Sequence, residues 1–302
     1  MKNMKGIGFI ISILAIFLLA ACGSSDDSSG DGAEDNYSEA VDHTIIGIEP
    51  GAGISVTTEK AIEEYDNLKG WDVELSSTGA MMSELGTAIQ NEEPIIITGW
   101  NPHWMFAQYP DMKYLKDPQG IYGGEETLNS LARIGFEEDN PDAYKFIDQF
   151  EWEVEDMEEI MYEAEETGED IEDISAQWVE DNQDRVDTWA EGVNDGNGAE
   201  IKLASTPWDS ERASSGVLKA AMEQHGFQVT VTDVDVAVVF ESVASGDADA
   251  TLAAWLPVTH KDFYEKQKDN LIDLGPNLEG AKIGLVVPEY MDIDSIEDLE
   301  PK

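Results

Sequence analysis

The sequence predicts an α/β fold made of two similar lobes, and three observations support this. From residue 44 onward, short apolar runs that fit β-strands alternate with segments that fit helices, an order typical of parallel sheets covered by helices. The same order returns from residue 200. Each series ends in an apolar strand that carries tryptophan, one further residue and proline, at Trp100 and Trp255. We therefore expect two βαβαβ units with ligand-binding residues at the carboxyl ends of their strands.

The first unit is predicted over residues 44–122. Proline and glycine end its first strand, and the period-two alternation of Trp71, Val73 and Leu75 marks a second strand with one buried face. Its elements, in order, are a strand in TIIGIEPGAGI, a helix over 56–65, a strand in WDVELSS, a helix over 81–90 and a strand in PIIITGW.

The second unit is predicted over residues 200–282. Its elements, in order, are a strand in IKLASTPW, a helix over 214–225, a strand in FQVTVTDV, a helix over 239–245 and a strand in DATLAAWLP. The spacing matches that of the first unit, because Pro50 precedes Trp100 by 50 positions (100 − 50) and Pro207 precedes Trp255 by 48 (255 − 207). Residues 283–302, which begin within KIGLVVPEY, are expected to return to the first lobe.

An acidic helical segment is predicted between the two units, over residues 123–199. Two apolar stripes at helical spacing mark its helices: Met157, Ile160, Met161 and Ala164 in one, and Ile171, Ile174 and Trp178 in the other. The acidic residues around them fit a solvated face. Calcium would need carboxylates at fixed loop spacing around a turn glycine, a pattern that this segment lacks. We therefore expect no metal site.

The first 43 residues are predicted to be an export signal and a tether. Lys2 and Lys5 precede an apolar run that is short for a membrane span, which is the layout of a signal peptide over residues 1–21. The small residues that follow resemble a bacterial lipobox, in which Cys22 becomes the lipidated first residue of the mature chain. Residues 22–43 then form a disordered acidic tether rich in serine and glycine. The folded part is expected to stand outside the cell on a lipid anchor.

The charge balance restricts partners and surroundings. Seventeen basic and 65 acidic residues give a formal net charge of -48, which repels nucleic acid and anionic lipid headgroups. At about 1 M salt the Debye length falls to about 3 Å, so the self-repulsion of the fold is largely screened. The composition therefore indicates a protein built for saline surroundings that binds no nucleic acid.

Sequence position divides the eight tryptophans into two groups. Trp100, Trp208 and Trp255 each end or follow a strand at the edge where the two lobes face one another, and we expect their rings to line a ligand site. Trp104 is expected to support Trp100. The remaining four fit packed core positions: Trp71, Trp152, Trp178 and Trp189.

Three indole rings at one cleft favour a quaternary ammonium ligand. Such a cation has no N–H to donate, but aromatic faces attract its diffuse charge, with each ring contributing about 0.5–2 kcal/mol. Sodium and potassium do not readily exchange their hydration for ring faces. The rings would therefore discriminate against the abundant cations of brine.

A zwitterionic ligand also needs donors for its anionic group. His260 lies five residues after Trp255 and can donate from the same turn. The backbone N–H groups of Gly53 and Ile54 lie where a strand turns into a helix, and a helix N-terminus favours negative charge. We predict that these three residues hold a carboxylate. The other histidines are interpreted as structural or exposed: His43, His103 and His225.

Five stretches of the sequence carry specific motifs: IIGIEPGAGI, IIITGWNPHWMF, PWDSE, AAWLPVTH and GLVVPEYMDIDSIEDL. Together they resemble the substrate-binding lipoproteins of glycine betaine ABC importers, the OpuAC-type family, from about residue 44 to the C-terminus. In that family three tryptophans enclose the trimethylammonium group, while a histidine and two backbone amides hold the carboxylate. The matching positions here are Trp100, Trp208 and Trp255 for the cage, and His260, Gly53 and Ile54 for the carboxylate.

The resemblance implies a type II periplasmic-binding-protein fold, in which two α/β lobes joined by a hinge close over a ligand in the interlobe cleft. It also implies the capture of glycine betaine or a related compatible solute for osmoprotection, and its delivery to an ABC permease subunit in the membrane. We expect a monomer with no cofactor and no catalytic residue.

Other ligands and one other class of protein stay open. Choline or carnitine would also bring a quaternary ammonium group, and a carbohydrate could stack on the same rings. A cell-surface hydrolase is the other class, but the predicted cleft contains no cysteine nucleophile and no evident Ser-His-carboxylate grouping.

Overall fold

One mixed β-sheet of nine strands runs through residues 36–302, the part of the chain that the computed structural model describes. The predicted signal peptide, Cys22 and most of the predicted tether lie outside these residues. Eight strands follow the order β2-β1-β3-β9-β5-β8-β6-β7, and β4 pairs with β9 on the side opposite β3. The alternation of strands and helices along the chain confirms the predicted α/β class.

The first lobe is formed by the elements between residues 37 and 114 together with the C-terminal part of β9. In chain order its elements are α1 (Tyr37–Ala40), β1 (Thr44–Gly47), α2 (Gly53–Glu64), β2 (Asp72–Leu75), α3 (Thr78–Asn91), β3 (Ile97–Asn101), α4 (Met105–Gln108) and β4 (Met112–Tyr114). β1 pairs in parallel with both β2 and β3. This is the predicted βαβαβ unit.

A strand and five helices connect the two units: β5 (Glu126–Arg133), α5 (Phe136–Asp139), α6 (Pro141–Asp148), α7 (Val154–Thr167), α8 (Ile171–Asp181) and α9 (Gln183–Trp189). The prediction of a helical segment over residues 123–199 is therefore wrong for Glu126–Arg133, which form a strand. β5 lies between β8 and β9 and is buried along most of its length, so it has no polar face and no period-two signal. Asn129 and Ser130 in its middle further obscure the strand pattern.

The second lobe is formed by the connecting segment and the elements after it. These are β6 (Glu200–Ser205), α10 (Asp209–Gln224), β7 (Gln228–Asp233), α11 (Val236–Ser245), β8 (Ala250–Leu256), α12 (Lys261–Gln267) and β9 (Leu271–Pro288). β6 pairs in parallel with β7 and β8. The order β7-β6-β8 repeats the order β2-β1-β3, so the predicted duplication of the βαβαβ unit is confirmed.

Strand β9 passes through both lobes. Its N-terminal part pairs with β5 over Leu271–Ala281, and its C-terminal part pairs with β3 over Lys282–Val286. After β9 the chain stays against the first lobe, where the backbone N–H of Lys302 donates to the carbonyl of Lys69 at 3.0 Å. The two lobes are thus built on one continuous strand.

All four helices predicted in the two units begin earlier than their sequence patterns predict, and two of these early starts bear on the site. Helix α2 begins at Gly53 instead of residue 56, and α10 begins at Asp209 instead of residue 214. Their first turns carry glycine, serine and acidic residues of modest helix propensity, yet Gly53, Ser210 and Glu211 are buried. The earlier start of α2 places the amides of Gly53 and Ile54 at the positive end of a helix.

The tryptophans predicted to pack in the core do so: Trp71, Trp152, Trp178 and Trp189 are all buried. Trp178 and Trp189 stack with their centroids 6.2 Å apart, and Trp189 Nε1 donates to the carbonyl of Glu151 at 3.0 Å. The acidic connecting helices therefore have an aromatic core of their own.

A buried carboxylate holds the turn between β8 and α12. Glu126, at the start of β5, accepts hydrogen bonds from the backbone N–H of Val258 at 2.7 Å and of Thr259 at 2.8 Å, and also from the Thr259 hydroxyl. This turn follows Trp255 and carries His260. Glu126, at the start of strand β5, thereby fixes the turn that joins Trp255 to His260, two of the residues predicted to bind ligand.

We expect Glu126→Ala to lower the free energy of unfolding by about 2–4 kcal/mol, because it leaves two backbone donors of this turn without their partner. Urea unfolding measures the change. Glu125→Ala, at the exposed neighbouring position, is the matched control, and equal stability of the two variants would contradict this role for Glu126.

Candidate functional site

All six residues predicted to bind ligand line one small cavity where the two lobes meet. Its lining residues are Ile48, Ala52, Gly53, Ile54, Trp100, Trp208, Trp255, Thr259, His260 and Ile283. A cleft of about 730 Å³ adjoins it, shares Gly53, Trp208 and Thr259 with it, and has Lys60, Lys261 and Lys266 on its walls. The structure therefore brings together residues that are 200 positions apart in the sequence.

Trp100 reaches the cavity from the first lobe. It lies near the end of β3, is 5% exposed, and packs edge-on against His103 with ring centroids 4.5 Å apart. His103 in turn packs against Trp104 at 5.1 Å. The predicted support of Trp100 by Trp104 is thus mediated by an imidazole between the two indoles.

Trp208 and Trp255 reach the cavity from the second lobe. Trp255 lies in the fully buried strand β8, and its Nε1–H donates to the Glu211 carboxylate at 2.7 Å. Trp208 caps the N-terminus of α10 and stacks on His260 with centroids 6.1 Å apart. Both indoles therefore have a fixed orientation.

His260 is fully buried at the N-terminus of α12. Its Nδ1 lies 3.2 Å from the backbone N of Trp255 and 3.0 Å from the carbonyl O of Ala253, while its Nε2 has no hydrogen-bond partner among residues 36–302. With the ring proton on Nδ1, the ring donates to the Ala253 carbonyl. With the proton on Nε2, Nδ1 accepts from Trp255 N–H, the contact with Ala253 O is lost as a hydrogen bond, and Nε2–H is free to donate. An anionic group in the cavity would select this tautomer.

Burial keeps the two histidines nearest the indoles uncharged. It lowers the pKa of His260 to about 4 and the pKa of His103 to about 3. At neutral pH both imidazoles are therefore neutral. The ring-lined wall of the cavity consequently carries no positive charge that would repel a cation.

The N-terminus of α2 supplies donors from the first lobe. The N-cap residue is Ala52, whose side chain cannot accept a hydrogen bond, so the first N–H groups of the helix keep their donor capacity. Gly53 lies directly against the second lobe, because a Cβ at this position would lie 2.6 Å from the carbonyl O of Thr259. The positive end of the helix thus meets the turn that carries His260.

A second contact between the lobes lies on the far side of the indoles. Trp104 Nε1–H, from the first lobe, donates to the Asp209 carboxylate at the start of α10, at 3.0 Å. Asp209 and Glu211, which were not predicted as neighbours of the site, lie in the PWDSE stretch that contributes to the family resemblance. In a chain with 65 acidic residues, their charge alone does not distinguish them.

A cavity elsewhere in the second lobe is less suited to an organic cation. It lies around Arg133, Lys202 and Asp249 and has no aromatic lining residue. Arg133 Nε lies 2.8 Å from Asp249 Oδ1, so the central charges of this cavity already neutralise one another.

Two further surveys cover residues 36–302. In this range, no group of three or more histidine, cysteine, aspartate or glutamate side chains is arranged to hold a metal ion. Nor does any helix of this range combine the length and the apolar composition that a membrane crossing requires.

Comparison with known proteins identifies relatives of the whole chain. A sequence model of the family described as "Substrate binding domain of ABC-type glycine betaine transport system" matches residues 29–181 and 199–302. The glycine betaine/carnitine transport binding protein GbuC of Listeria monocytogenes is 44% identical over 292 residues, which cover 95% of each chain.

Two solved structures match part of the chain. The lactococcal protein OpuAC, crystallised in a closed conformation with glycine betaine, is 47% identical over 49% of this chain, with a TM-score of 0.47. An ABC-transporter choline-binding protein in complex with choline is 25% identical over 60% of this chain, also with a TM-score of 0.47. The matched regions cover 57% and 61% of those solved chains.

We expect His103 to make the stability of the fold depend on pH. Because burial lowers the pKa of His103 to about 3, only the unfolded chain binds its proton as the pH falls below the ordinary value of about 6.5, so stability falls with pH. His103→Asn keeps an acceptor for the N–H of Met105 but does not titrate. From about pH 7 to pH 5, wild type should lose about 2 kcal/mol relative to this variant.

Urea unfolding at both pH values measures that difference, with His43→Asn, at a partly exposed position, as the matched substitution. The difference in the free energy of unfolding between wild type and His103→Asn should change between the two pH values. If it stays constant, His103 takes up protons equally well in the folded and unfolded chain.

Proposed function

This chain belongs to the family of substrate-binding domains of ABC-type glycine betaine transport systems, and on that premise we propose which ligand it binds and how. The ligand is glycine betaine or a closely related carboxylated quaternary ammonium solute, captured outside the cell for import. One observation carries this proposal: three indoles, a buried histidine and a free helix N-terminus line the same cavity.

The cationic head of the ligand lies among the three indoles in this proposal. Trp100 comes from the first lobe, and Trp208 and Trp255 come from the second. Each ring face contributes about 0.5–2 kcal/mol to the binding of a desolvated quaternary ammonium group. Because the rings come from both lobes, the full cage exists only when the lobes are together.

The carboxylate of the ligand is held at the opposite end of the cavity. His260 Nε2–H and the backbone N–H groups of Gly53 and Ile54 supply the donors, again from both lobes. The buried Nε2 has no partner among the described residues, and burying a polar group without a hydrogen bond costs free energy. A bound carboxylate removes that cost.

The two ends of the site explain how binding becomes a signal for transport. The ammonium group and the carboxylate of the ligand each contact residues from both lobes. The ligand therefore favours the closed arrangement over any open one. A permease that recognises the closed arrangement would then accept loaded protein in preference to empty protein.

The same geometry ranks the alternative ligands. Carnitine, named for the Listeria relative, combines a trimethylammonium group with a carboxylate and can use both ends of the site. Choline, bound by one solved relative, lacks the carboxylate and leaves His260 Nε2 and the amides of α2 unmatched. A sugar brings no cation and is disfavoured by the same reasoning.

We further propose, from the sequence alone, that the protein is a monomer and that a lipid on Cys22 anchors it to the membrane. The acidic composition suggests that it comes from a salt-adapted cell. Cys22 lies outside the described residues. Binding and release require no bond to be made or broken at the site, so we propose a carrier and not an enzyme.

Isothermal titration with glycine betaine, carnitine, choline and maltose tests the proposed ligand class. We expect glycine betaine to bind, choline to bind at least tenfold more weakly because it lacks the anionic group, and maltose to show no heat of binding. Binding of maltose, or equal affinities for choline and glycine betaine, would contradict the assignment of the two ends of the site.

Gly53→Ala should weaken glycine betaine binding at least tenfold. The added Cβ would lie 2.6 Å from the carbonyl O of Thr259 and 2.5 Å from its Cγ2, so the lobes could not close fully. Helix α2 itself tolerates alanine, and thermal unfolding without ligand should therefore change little.

Gly79→Ala is the matched control, since a Cβ at this position in α3 has no neighbour within 4 Å. Equal affinity of the Gly53→Ala and Gly79→Ala proteins would show that this contact between the lobes is not needed for binding.

A further inference from the structure

Three carboxylates are buried among the residues that the structure describes: Glu126, Glu211 and Asp249. Asp249 is paired with Arg133, and Glu126 accepts hydrogen bonds from two backbone amides and a hydroxyl. Glu211 is 1% exposed, and no lysine, arginine or histidine nitrogen of residues 36–302 lies within 4.0 Å of its carboxylate. Its burial therefore needs a separate explanation.

Glu211 lies at the edge of an indole that lines the ligand cavity. Its Oε1 accepts the Nε1–H of Trp255 at 2.7 Å, and its Oε2 accepts the hydroxyl of Ser210. It occupies the first turn of α10, three residues after Trp208. Glu211 thus accepts a hydrogen bond from one indole of the proposed cage, Trp255, and lies in the first turn of the helix that follows another, Trp208.

We propose that Glu211 is the counter-charge of the cage: an ionised carboxylate at the edge of Trp255 that makes the site select a quaternary ammonium group over an uncharged group of the same shape. This inference rests on the proposed function and deepens it. Glu211 acts through Trp255, which makes it a positioning and specificity residue without direct contact to the ligand.

Two physical effects act in the same direction. A carboxylate that accepts the indole N–H increases electron density over the ring, which strengthens the attraction of a cation to its face. The charge of Glu211 also attracts the cation directly. The exposed acidic side chains are separated from the site by water and salt, whereas Glu211 acts through the protein interior, where charges interact more strongly.

Orientation of Trp255 alone does not require a charge. A neutral amide oxygen would accept the same N–H, and burying a carboxylate without a cation costs stability. Burial raises the pKa of Glu211 above its ordinary value, and the hydrogen bonds from Ser210 and Trp255 offset only part of this effect. A cation bound against the face of Trp255 would offset the free-energy cost of burying the Glu211 carboxylate.

Glu211→Gln tests the proposal with two ligands of the same shape. Glycine betaine carries a quaternary ammonium group, and 3,3-dimethylbutanoate carries a tert-butyl group in its place. Competition titrations followed by tryptophan fluorescence give the ratio of the two dissociation constants for each protein. This ratio isolates the contribution of the cationic charge.

We expect Glu211→Gln to weaken glycine betaine at least tenfold and to leave 3,3-dimethylbutanoate unchanged or slightly tighter. Glu241→Gln, at an exposed position of α11, should leave the ratio unchanged. If Glu211→Gln weakens the binding of both ligands equally, or of neither, the role of Glu211 as a counter-charge is overturned. Failure of wild type to bind glycine betaine at all would instead overturn the proposed function.

Absolute infrared spectroscopy of wild type keeps the proposal testable if Glu211→Gln does not fold. At neutral pH exposed carboxyl groups are ionised, so a carboxylic-acid band reports a buried protonated group. We expect no such band in the glycine betaine complex. Asp249 is paired with Arg133 and Glu126 is held by three donors, so a carboxylic-acid band in the complex is assigned to Glu211 and would overturn the proposal.

Discussion

The convergence of three indole faces on one cavity is the constraint around which the proposed site is built. A cage for one small cation needs three rings within reach of it, and no single strand or helix can supply them. β3 brings Trp100 from one lobe, while β8 and α10 bring Trp255 and Trp208 from the other. The duplicated βαβαβ architecture places these strand ends opposite one another, and β9, shared by both lobes, joins the two units.

The electrostatics of the site are separated from those of the surface. A formal net charge of -48 would attract any cation, but screening by salt makes that attraction weak and unselective. Inside the cavity the pattern is more specific. The indoles and the edge carboxylate Glu211 lie around the proposed cationic end, whereas His260 and the first amides of α2 lie at the proposed anionic end. Burial keeps His260 neutral, so it can donate a hydrogen bond to a carboxylate without carrying a charge that would repel the onium group.

The sequence predicts site residues well where their position follows from the end of a strand at which they lie. Tryptophan and proline after two apolar runs located Trp100 and Trp255, because strand ends of parallel sheets meet at one edge. It was uninformative where tertiary burial overrides local pattern. Strand β5 has no exposed face and no period, so its sequence does not distinguish it from the helices that follow. Asp209 and Glu211 lie in the PWDSE stretch, but the indole contacts that set them apart from the other acidic residues depend on the tertiary structure.

A crystal structure of the complex with glycine betaine would show which residues contact each end of the ligand. We predict that the trimethylammonium group lies within about 6 Å of the ring centroids of Trp100, Trp208 and Trp255. We also predict that the carboxylate accepts hydrogen bonds from His260 Nε2 and from the amides of Gly53 and Ile54. A ligand with its methyl groups turned toward acidic side chains, or bound in the outer cleft away from the three rings, would contradict the account.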